Sequence, residues 1–376
     1  EIRLSLVGSE MCIRDRISMQ SGKEKTVFIF EAEEGMILAR DVYSPGGHMI
    51  VPQGVALTHD LINTIADNHI LEILIYDGIQ GTDTEPTYFD KLRATPEFTR
   101  FTEEYNGTVS TVKNNLNDIV FRDKEIDVNT LIADTDSILS GSRSNLQVFD
   151  MLHSLRKNDD LTYVHCVNVS LIATIIGRWL NMSEDDLNVL STAALLHDIG
   201  KLMIPEEILL KPGKLTAAEF DVIKTHVNLG FNLLKDKNID NRIKEVCLFH
   251  HEKCDGSGYP FGLKSDKIPL MAKIVTVADV YDAMTAARVY RGSMCPFDVI
   301  KIMEDESFSK YDPNVLLPFI NHVVSSYLHT NVRLSDGRIG EVVLINSNRL
   351  SRPSIMCDGE FIDLSKRPDL SINAIL

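Results

Sequence analysis

The spacing of apolar side chains changes period twice along the chain. Between about residues 25 and 78, short apolar runs alternate with turn residues: Val27-Phe28-Ile29-Phe30, Met49-Ile50-Val51 and Leu71 to Tyr76 predict strands. Gly46-Gly47 predicts a turn between strands, and Thr58 is placed to cap an amphipathic helix carrying Leu61, Ile62 and Ile65. From about Lys124 to His329 the apolar positions recur every three or four residues instead. That spacing predicts helical segments at Leu131–Leu139, Leu146–Leu155, Val164–Leu180, Leu187–Leu196, Phe220–Ile223, Ile243–His251, Ala272–Met284 and Val299–Met303. After His329 alternation returns: Val332 to Leu334 and Ile339 to Ile345 flank Asp336-Gly337, and Ser354 to Cys357 and Glu360 to Leu364 flank Asp358-Gly359, the pairing that hairpin turns favour.

The expected organisation is therefore a small α/β domain over residues 25–80, of interaction or regulatory type, and a polar linker over 81–124 marked by Gly81, Pro86 and Pro96. An all-α domain over 125–330 and a short β-hairpin appendage over 331–376 follow, so the fold class is mainly α. Residues 1–16 stand apart. Ser5 to Arg16 resembles translated sequencing-adapter read-through, so the natural chain is expected to begin near Met19 and residues 1–16 to carry no function. Their apolar part is too short for a signal peptide.

Composition narrows the function. A chain of 376 residues with 44% hydrophobic residues can bury a sizeable core in two or three domains. No run approaches the roughly 18 apolar residues of a membrane helix, which argues against membrane insertion. The net charge of -16 argues against a nucleic-acid polymer as partner, because that binding relies on a basic face. A small phosphodiester is still compatible where metals reverse the local field. The six cysteines (Cys12, Cys166, Cys247, Cys254, Cys295, Cys357) lack CxxC spacing, which indicates neither a zinc ribbon nor a disulfide framework and fits a reducing cytoplasm.

The chemistry concentrates in the helical domain. His197-Asp198 closes the apolar helix of Leu187, Leu190, Ala194 and Leu195, and Gly200 is expected to break that helix so that both side chains reach one centre. His165 lies within the preceding helix, His226 opens a later one, His250-His251 ends another, and Asp279 sits among Ile274, Val275, Val277 and Ala278. A single buried histidine is more often a packing residue, and an ionised aspartate among aliphatic side chains would cost several kcal/mol without a cation. Five histidines and two aspartates exceed what one ion can use, whereas two ions bridged by Asp198 would use them. Such a pair polarises a phosphodiester and generates a hydroxide. His48, His59 and His69 have no such spacing and read as solvated or packing residues.

His197-Asp198-Ile199-Gly200-Lys201, followed by His250-His251-Glu252-Lys253-Cys254-Asp255-Gly256-Ser257-Gly258-Tyr259-Pro260, resembles the two signature motifs of the HD-GYP family of cyclic di-GMP phosphodiesterases. Ala278-Asp279-Val280-Tyr281-Asp282-Ala283-Met284-Thr285, with Arg288 and Arg291, resembles its third block. The likeness covers about residues 125–330 and implies an HD-type helical bundle. It implies that His165, His197, Asp198, His226, His250, His251 and Asp279 are metal ligands, with Asp198 as the bridge. It further implies that Lys201 contacts the scissile phosphate or a neighbouring ligand, and that Arg288 and Arg291 hold phosphates. Independently, three-residue spacing puts the two arginines on one helix face, and a planar guanidinium suits phosphate oxygens. Gly256, Gly258 and Pro260 shape the loop that turns Tyr259 toward a ligand. Some family members add a third metal through a glutamate where this chain has Leu161, beside Asp160, so a binuclear site is expected.

The resemblance thus implies hydrolysis of cyclic di-GMP to linear pGpG, with a second step to GMP left open, by two divalent ions, iron or manganese first and zinc accommodated. No serine or cysteine nucleophile is required, and Cys166 and Cys254 are expected bystanders. Partners beyond the dinucleotide would be a second copy of the chain or a signalling protein. A cyclic di-GMP receptor of negligible turnover, signalling through the flanking domains, is the alternative. A nucleotide phosphohydrolase of the wider HD superfamily is disfavoured by His250-His251 and the Gly-Tyr-Pro loop.

Overall fold

The computed structural model describes residues 24–43, 49–51, 53, 55, 57–67, 70–80, 88–141, 145–155, 161–211, 215–285 and 295–376. The chain forms two units, Glu1–Glu85 and Pro86–Leu376. Residues 1–16 and the Gly46-Gly47 turn lie outside the described residues.

The first unit contains β1 (Glu24–Phe28), β2 (Met36–Leu38), β3 (Val42–Tyr43), β4 (Met49–Val51), α1 (His59–Asp67) and β5 (Glu72–Gln80). An antiparallel sheet in the order β1-β5-β2 pairs Val27 with Ile73 and Lys25 with Ile75. Val27, Leu38, Ile65, Ile73 and Ile75 form its core. Thr58 does cap α1, its hydroxyl accepting from Leu61 N at 3.3 Å.

The second unit is helical: α2 (Tyr88–Arg93), α3 (Pro96–Arg122), α4 (Val128–Gly141), α5 (Asn145–Ser154), α6 (Leu161–Trp179) and α7 (Glu184–Leu196) lead to a 3-10 turn at Ile199–Met203. Then come α8 (Glu206–Leu209), α9 (Ala217–Lys224), α10 (His226–Leu234), α11 (Asn241–Phe249), α12 (Leu270–Thr285), α13 (Pro296–Lys310) and α14 (Pro313–Ser326). The expected linker over 81–124 is corrected here, because most of it is α3. Thr95 caps that helix by accepting from Phe98 N, Pro96 opens it, and Asp123 closes it in the left-handed region at φ 51°. Phe98, Phe101, Tyr105, Thr108, Val112, Leu116 and Ile119 form its buried stripe. Their three- and four-residue spacing is diluted by a polar remainder, which is what disguised the helix as a linker.

The carboxy-terminal segment is larger than a hairpin appendage. β6 (Asn331–Leu334), β7 (Ile339–Leu344), β8 (Ser354–Cys357), β9 (Glu360–Asp363) and β10 (Ile372–Ile375) form one antiparallel sheet in the order β10-β6-β7-β8-β9. Both expected hairpins are present within it, and Asp358 and Gly359 take positive φ (49° and 81°) as a two-residue turn requires. Val332, Val342 and Ile355 share one continuous core with Phe319 and Ile320 of α14. Glu304 of α13 fixes the β7–β8 connection, accepting from Leu350 N at 2.8 Å and Ser351 N at 3.3 Å. The mainly α fold class with small sheets at both ends is what the periodicity predicted.

Candidate metal centre

Helix ends and one buried helix interior bring the seven expected ligands to one place. His197 caps the C-terminus of α7, Asp198 follows it at φ -103°, ψ 11°, His226 opens α10 and His250 caps α11. His165 lies in the second turn of α6 and Asp279 inside α12. The helix does break where expected, α7 ending at Leu196 and a 3-10 turn following at Ile199–Met203, and Gly200 lies in that turn without a positive φ. A Cβ there would lie 2.0 Å from the carbonyl oxygen of His226 and 2.6 Å from Gly230 N, so Gly200 permits α10 to press against the 3-10 turn. The same contact carries His226 to Asp198.

Asp198 is fully buried and central. Its Oδ1 lies 3.2 Å from His226 Nε2 and 3.5 Å from His250 Nε2. Its Oδ2 lies 3.3 Å from His197 Nε2 and 3.5 Å from His165 Nε2, and the Lys201 ammonium rests against it. Asp279 Oδ1 stands 3.1 Å from His165 Nε2, and Asp279 Oδ2 3.9 Å from His251 Nδ1. Two sets of converging ligand atoms result, Asp198-His226-His250-His251 and His165-His197-Asp279, the atoms of each set within 4.8 Å of one another. One carboxylate with an oxygen toward each set has the geometry of a bridge.

The protonation pattern shows what the cage lacks. His197 Nδ1 donates to Ala194 O at 2.6 Å, His226 Nδ1 to Ile223 O at 2.7 Å, and His250 Nδ1 to Cys247 O at 3.0 Å. A carbonyl only accepts, so each ring carries its proton on Nδ1 and points the Nε2 lone pair inward. His226 Nε2 and His250 Nε2 then face each other at 3.3 Å with no proton to share. His197 Nε2 and Asp198 Oδ1 are fully buried acceptors without a hydrogen-bond donor. Burial pushes His250 down to about 4 and holds His251 well below the imidazole range, so these two rings supply no extra proton. Acceptors facing acceptors in a dry cage are relieved by cations, and an imidazole and carboxylate donor set fits divalent iron, manganese or zinc.

His165 is held differently. Asp282 Oδ2 lies 2.6 Å from its Nδ1, and Asn168 Nδ2 donates to Asp282 Oδ1 at 2.7 Å. Burial alone would lower the His165 pKa, but the hydrogen bonds and charges of Asp279 and Asp282 outweigh it and raise it to about 10 in the metal-free protein. Lys201 is likewise opposed by burial, and Asp198 and Asp279 prevail to raise it. Asp282 was not among the expected site residues, although it lies one helical turn beyond Asp279 on the same face.

The loop after α11 covers one side. Tyr259 stacks on His251, ring centroids 4.7 Å apart and planes 24° from parallel, and the Tyr259–Pro260 bond is cis. Gly256 takes φ +84°, and a Cβ on Gly258 would come within 2.4 Å of Lys253 N, so backbone packs on backbone there. Glu252, also unanticipated, is buried and clamps the loop by accepting from Phe261 N at 2.7 Å and Leu263 N at 2.8 Å. Burial pushes the Cys166 and Cys247 thiols up, which keeps them protonated. Arg288, Arg291 and Asp160, with the side chain of Leu161, lie outside the described residues.

The buried centre of the bundle thus joins a His-Asp helix end to four further histidines and a second aspartate. The chain belongs to the family whose profile, described as HD domain, matches residues 128–315. Among curated proteins, the cyclic di-GMP phosphodiesterase PA4108 of Pseudomonas aeruginosa is 37% identical over 54% of this chain and 49% of its own length. A cyclic di-GMP phosphodiesterase of Thermotoga maritima is 40% identical over 46% and 48%. The 3'3'-cGAMP-specific phosphodiesterase 3 of Vibrio cholerae is 40% identical over 40% and 32%. The chain thus spans about half the length, or less, of the curated relatives it matches. The solved structure of Bd1817, a HDG"Y"P protein from Bdellovibrio bacteriovorus, shares the fold at a TM-score of 0.50 and 16% identity, over 79% of this chain and 98% of that one. Among the described residues no helix is long and apolar enough to cross a membrane.

Proposed function

We propose that the chain is a binuclear metal-dependent phosphodiesterase that hydrolyses cyclic dinucleotides, with cyclic di-GMP as substrate and linear pGpG as the first product. The observation that carries this reading is the buried cage of mutually facing acceptors around Asp198. His226, His250 and His251 would hold one ion and His165, His197 and Asp279 the other, with Asp198 shared between them. Two such ions polarise a phosphodiester and lower the pKa of water, so no protein nucleophile is needed. The Lys201 ammonium, anchored on Asp198, is positioned to offset negative charge at a phosphate beside the cage. The partly exposed Tyr259 ring, braced on His251, offers a flat edge to a base or ribose. Arg288 and Arg291 are assigned to phosphate binding on their sequence positions. The names of the relatives support both cyclic di-GMP and 3'3'-cGAMP as members of the substrate class.

The test is to load the protein with Mn, Fe or Zn, incubate it with cyclic di-GMP or 3'3'-cGAMP, and resolve products by chromatography beside the ion content. Linear dinucleotide from the loaded chain, and none from Asp198→Ala, is the expected result. Stoichiometric ion uptake with intact substrate under every loading would transfer the assignment to a receptor, and absence of ion uptake would refute the metal centre.

A further inference from the structure

Three buried polar groups connect α3 to the cage. The Tyr105 hydroxyl donates to Asn168 Oδ1 at 2.6 Å, Asn168 Nδ2 donates to Asp282 Oδ1 at 2.7 Å, and Asp282 Oδ2 holds His165 Nδ1 at 2.6 Å. The direction of this chain is fixed by its donors. A carboxylate only accepts, so Asn168 presents its NH2 to Asp282 and its oxygen to Tyr105, whose hydroxyl also lies 3.4 Å from Val164 O. Asp282 then keeps only Oδ2 for the imidazole. Tyr105 is fully buried and Asn168 and Asp282 nearly so, which leaves water little access to substitute for any of them. Tyr105 lies outside the HD-domain match at 128–315, on a helix that packs against both α6 and the 3-10 turn bearing Lys201.

We propose that Tyr105 is a positioning residue for the metal centre: through Asn168 and Asp282 it sets the ring orientation of His165, so the seating of α3 governs how tightly the ion bound by His165, His197 and Asp279 is held. The inference rests on reading the cage as a metal site. Without the phenol proton, Asn168 loses the contact that fixes its amide, its NH2 can turn from Asp282, and the carboxylate can rotate with the imidazole it steadies. Partners of this kind, one bond removed from a metal ligand, change affinity by about 10–100-fold when mutated. Asp282 is such a partner and Tyr105 stands two hydrogen bonds beyond it, so the expected loss is smaller, about 3–10-fold.

Tyr105→Phe keeps the ring and its stack on Phe101, at 5.8 Å between centroids, while deleting the proton. Thr135→Val serves as a control, because Thr135 is equally buried and bonds Ile132 O and the Ser191 hydroxyl of α7, not Asn168 or Asp282. Mn2+ affinity of the full chain, measured by chelator competition, is expected to fall about 3–10-fold in Tyr105→Phe, more in Asp282→Asn, and to stay within about twofold in Thr135→Val. The Nδ1–H resonance of His165 in the Zn2+-loaded protein should shift in Tyr105→Phe alone of the Phe and Val variants. Unchanged affinity and resonance in Tyr105→Phe, or an equal loss in Thr135→Val, would overturn the proposal while leaving the metal reading intact. A wild-type chain that takes up no ion would overturn both.

Discussion

Replacing Glu252 by Gln isolates the clamp on the loop that carries Tyr259. The carboxylate is 2% exposed and receives one backbone N–H on each oxygen, Phe261 at 2.7 Å and Leu263 at 2.8 Å. A glutamine can accept from only one of them and turns its own NH2 toward the other, leaving a buried donor facing a donor. A hydrogen bond to a charged group contributes about 1.5–3 kcal/mol, and an unsatisfied buried group costs about 1–3 kcal/mol. Relief from burying a charge acts in the opposite direction, so the net loss is about 2–4 kcal/mol. For a unit of this size that is a fall in Tm of about 3–7 °C. The Glu252 carboxylate bonds the loop backbone and none of the seven expected ligands, so ion content should remain at the wild-type level while Tyr259 loses its seat on His251. Calorimetric melting with elemental analysis of the same samples is the assay. A Tm within about 1 °C of wild type would refute the clamp, and loss of ions with the loop intact would mean that Glu252 acts on the cage instead.

Two further outcomes follow from the same geometry. Gly200→Ala should lower stability by about 3 kcal/mol or more, because its Cβ would sit 2.0 Å from backbone that no rotamer change can move, and an unchanged urea midpoint would contradict the close approach of α10. Ion uptake should release a proton from His165 and tighten as pH rises: with its metal-free pKa raised to about 10, the imidazolium competes with the ion at every pH below that value, and the competition is gone above it. The same sign makes His165 a source of metal-free stability that is fully present below its ordinary 6.5 and lost as pH rises toward about 10. Titration calorimetry of Mn2+ binding in buffers of different ionisation enthalpy counts the proton, and binding without release would contradict the protonation assigned here.

What could be read without the structure divides by the range of the interaction. For His197, His226 and His250 the bond that aims each ring is local, to a carbonyl three residues back, and is a consequence of sitting at or just past a helical turn. Helical period and residue type therefore sufficed to select those histidines. His165 is aimed by Asp282, 117 positions away, and Asp282 by Asn168, 114 positions away. No periodicity reports such a pairing, although the three-residue step from Asp279 to Asp282 was visible. The helix break at Gly200 was legible, but its steric reason was not, since a glycine needed for backbone approach looks the same in sequence as one needed for positive φ. The helix over Pro96–Arg122 was hidden for a related reason: its buried stripe includes Tyr105 and Thr108, polar letters in a polar segment. Tyr105 is buried there because its hydroxyl finds Asn168, and Asn168 is oriented because Asp282 holds His165. The residues that sequence pattern treated as filler are the ones through which a helix outside the family match reaches His165, an expected ligand inside it.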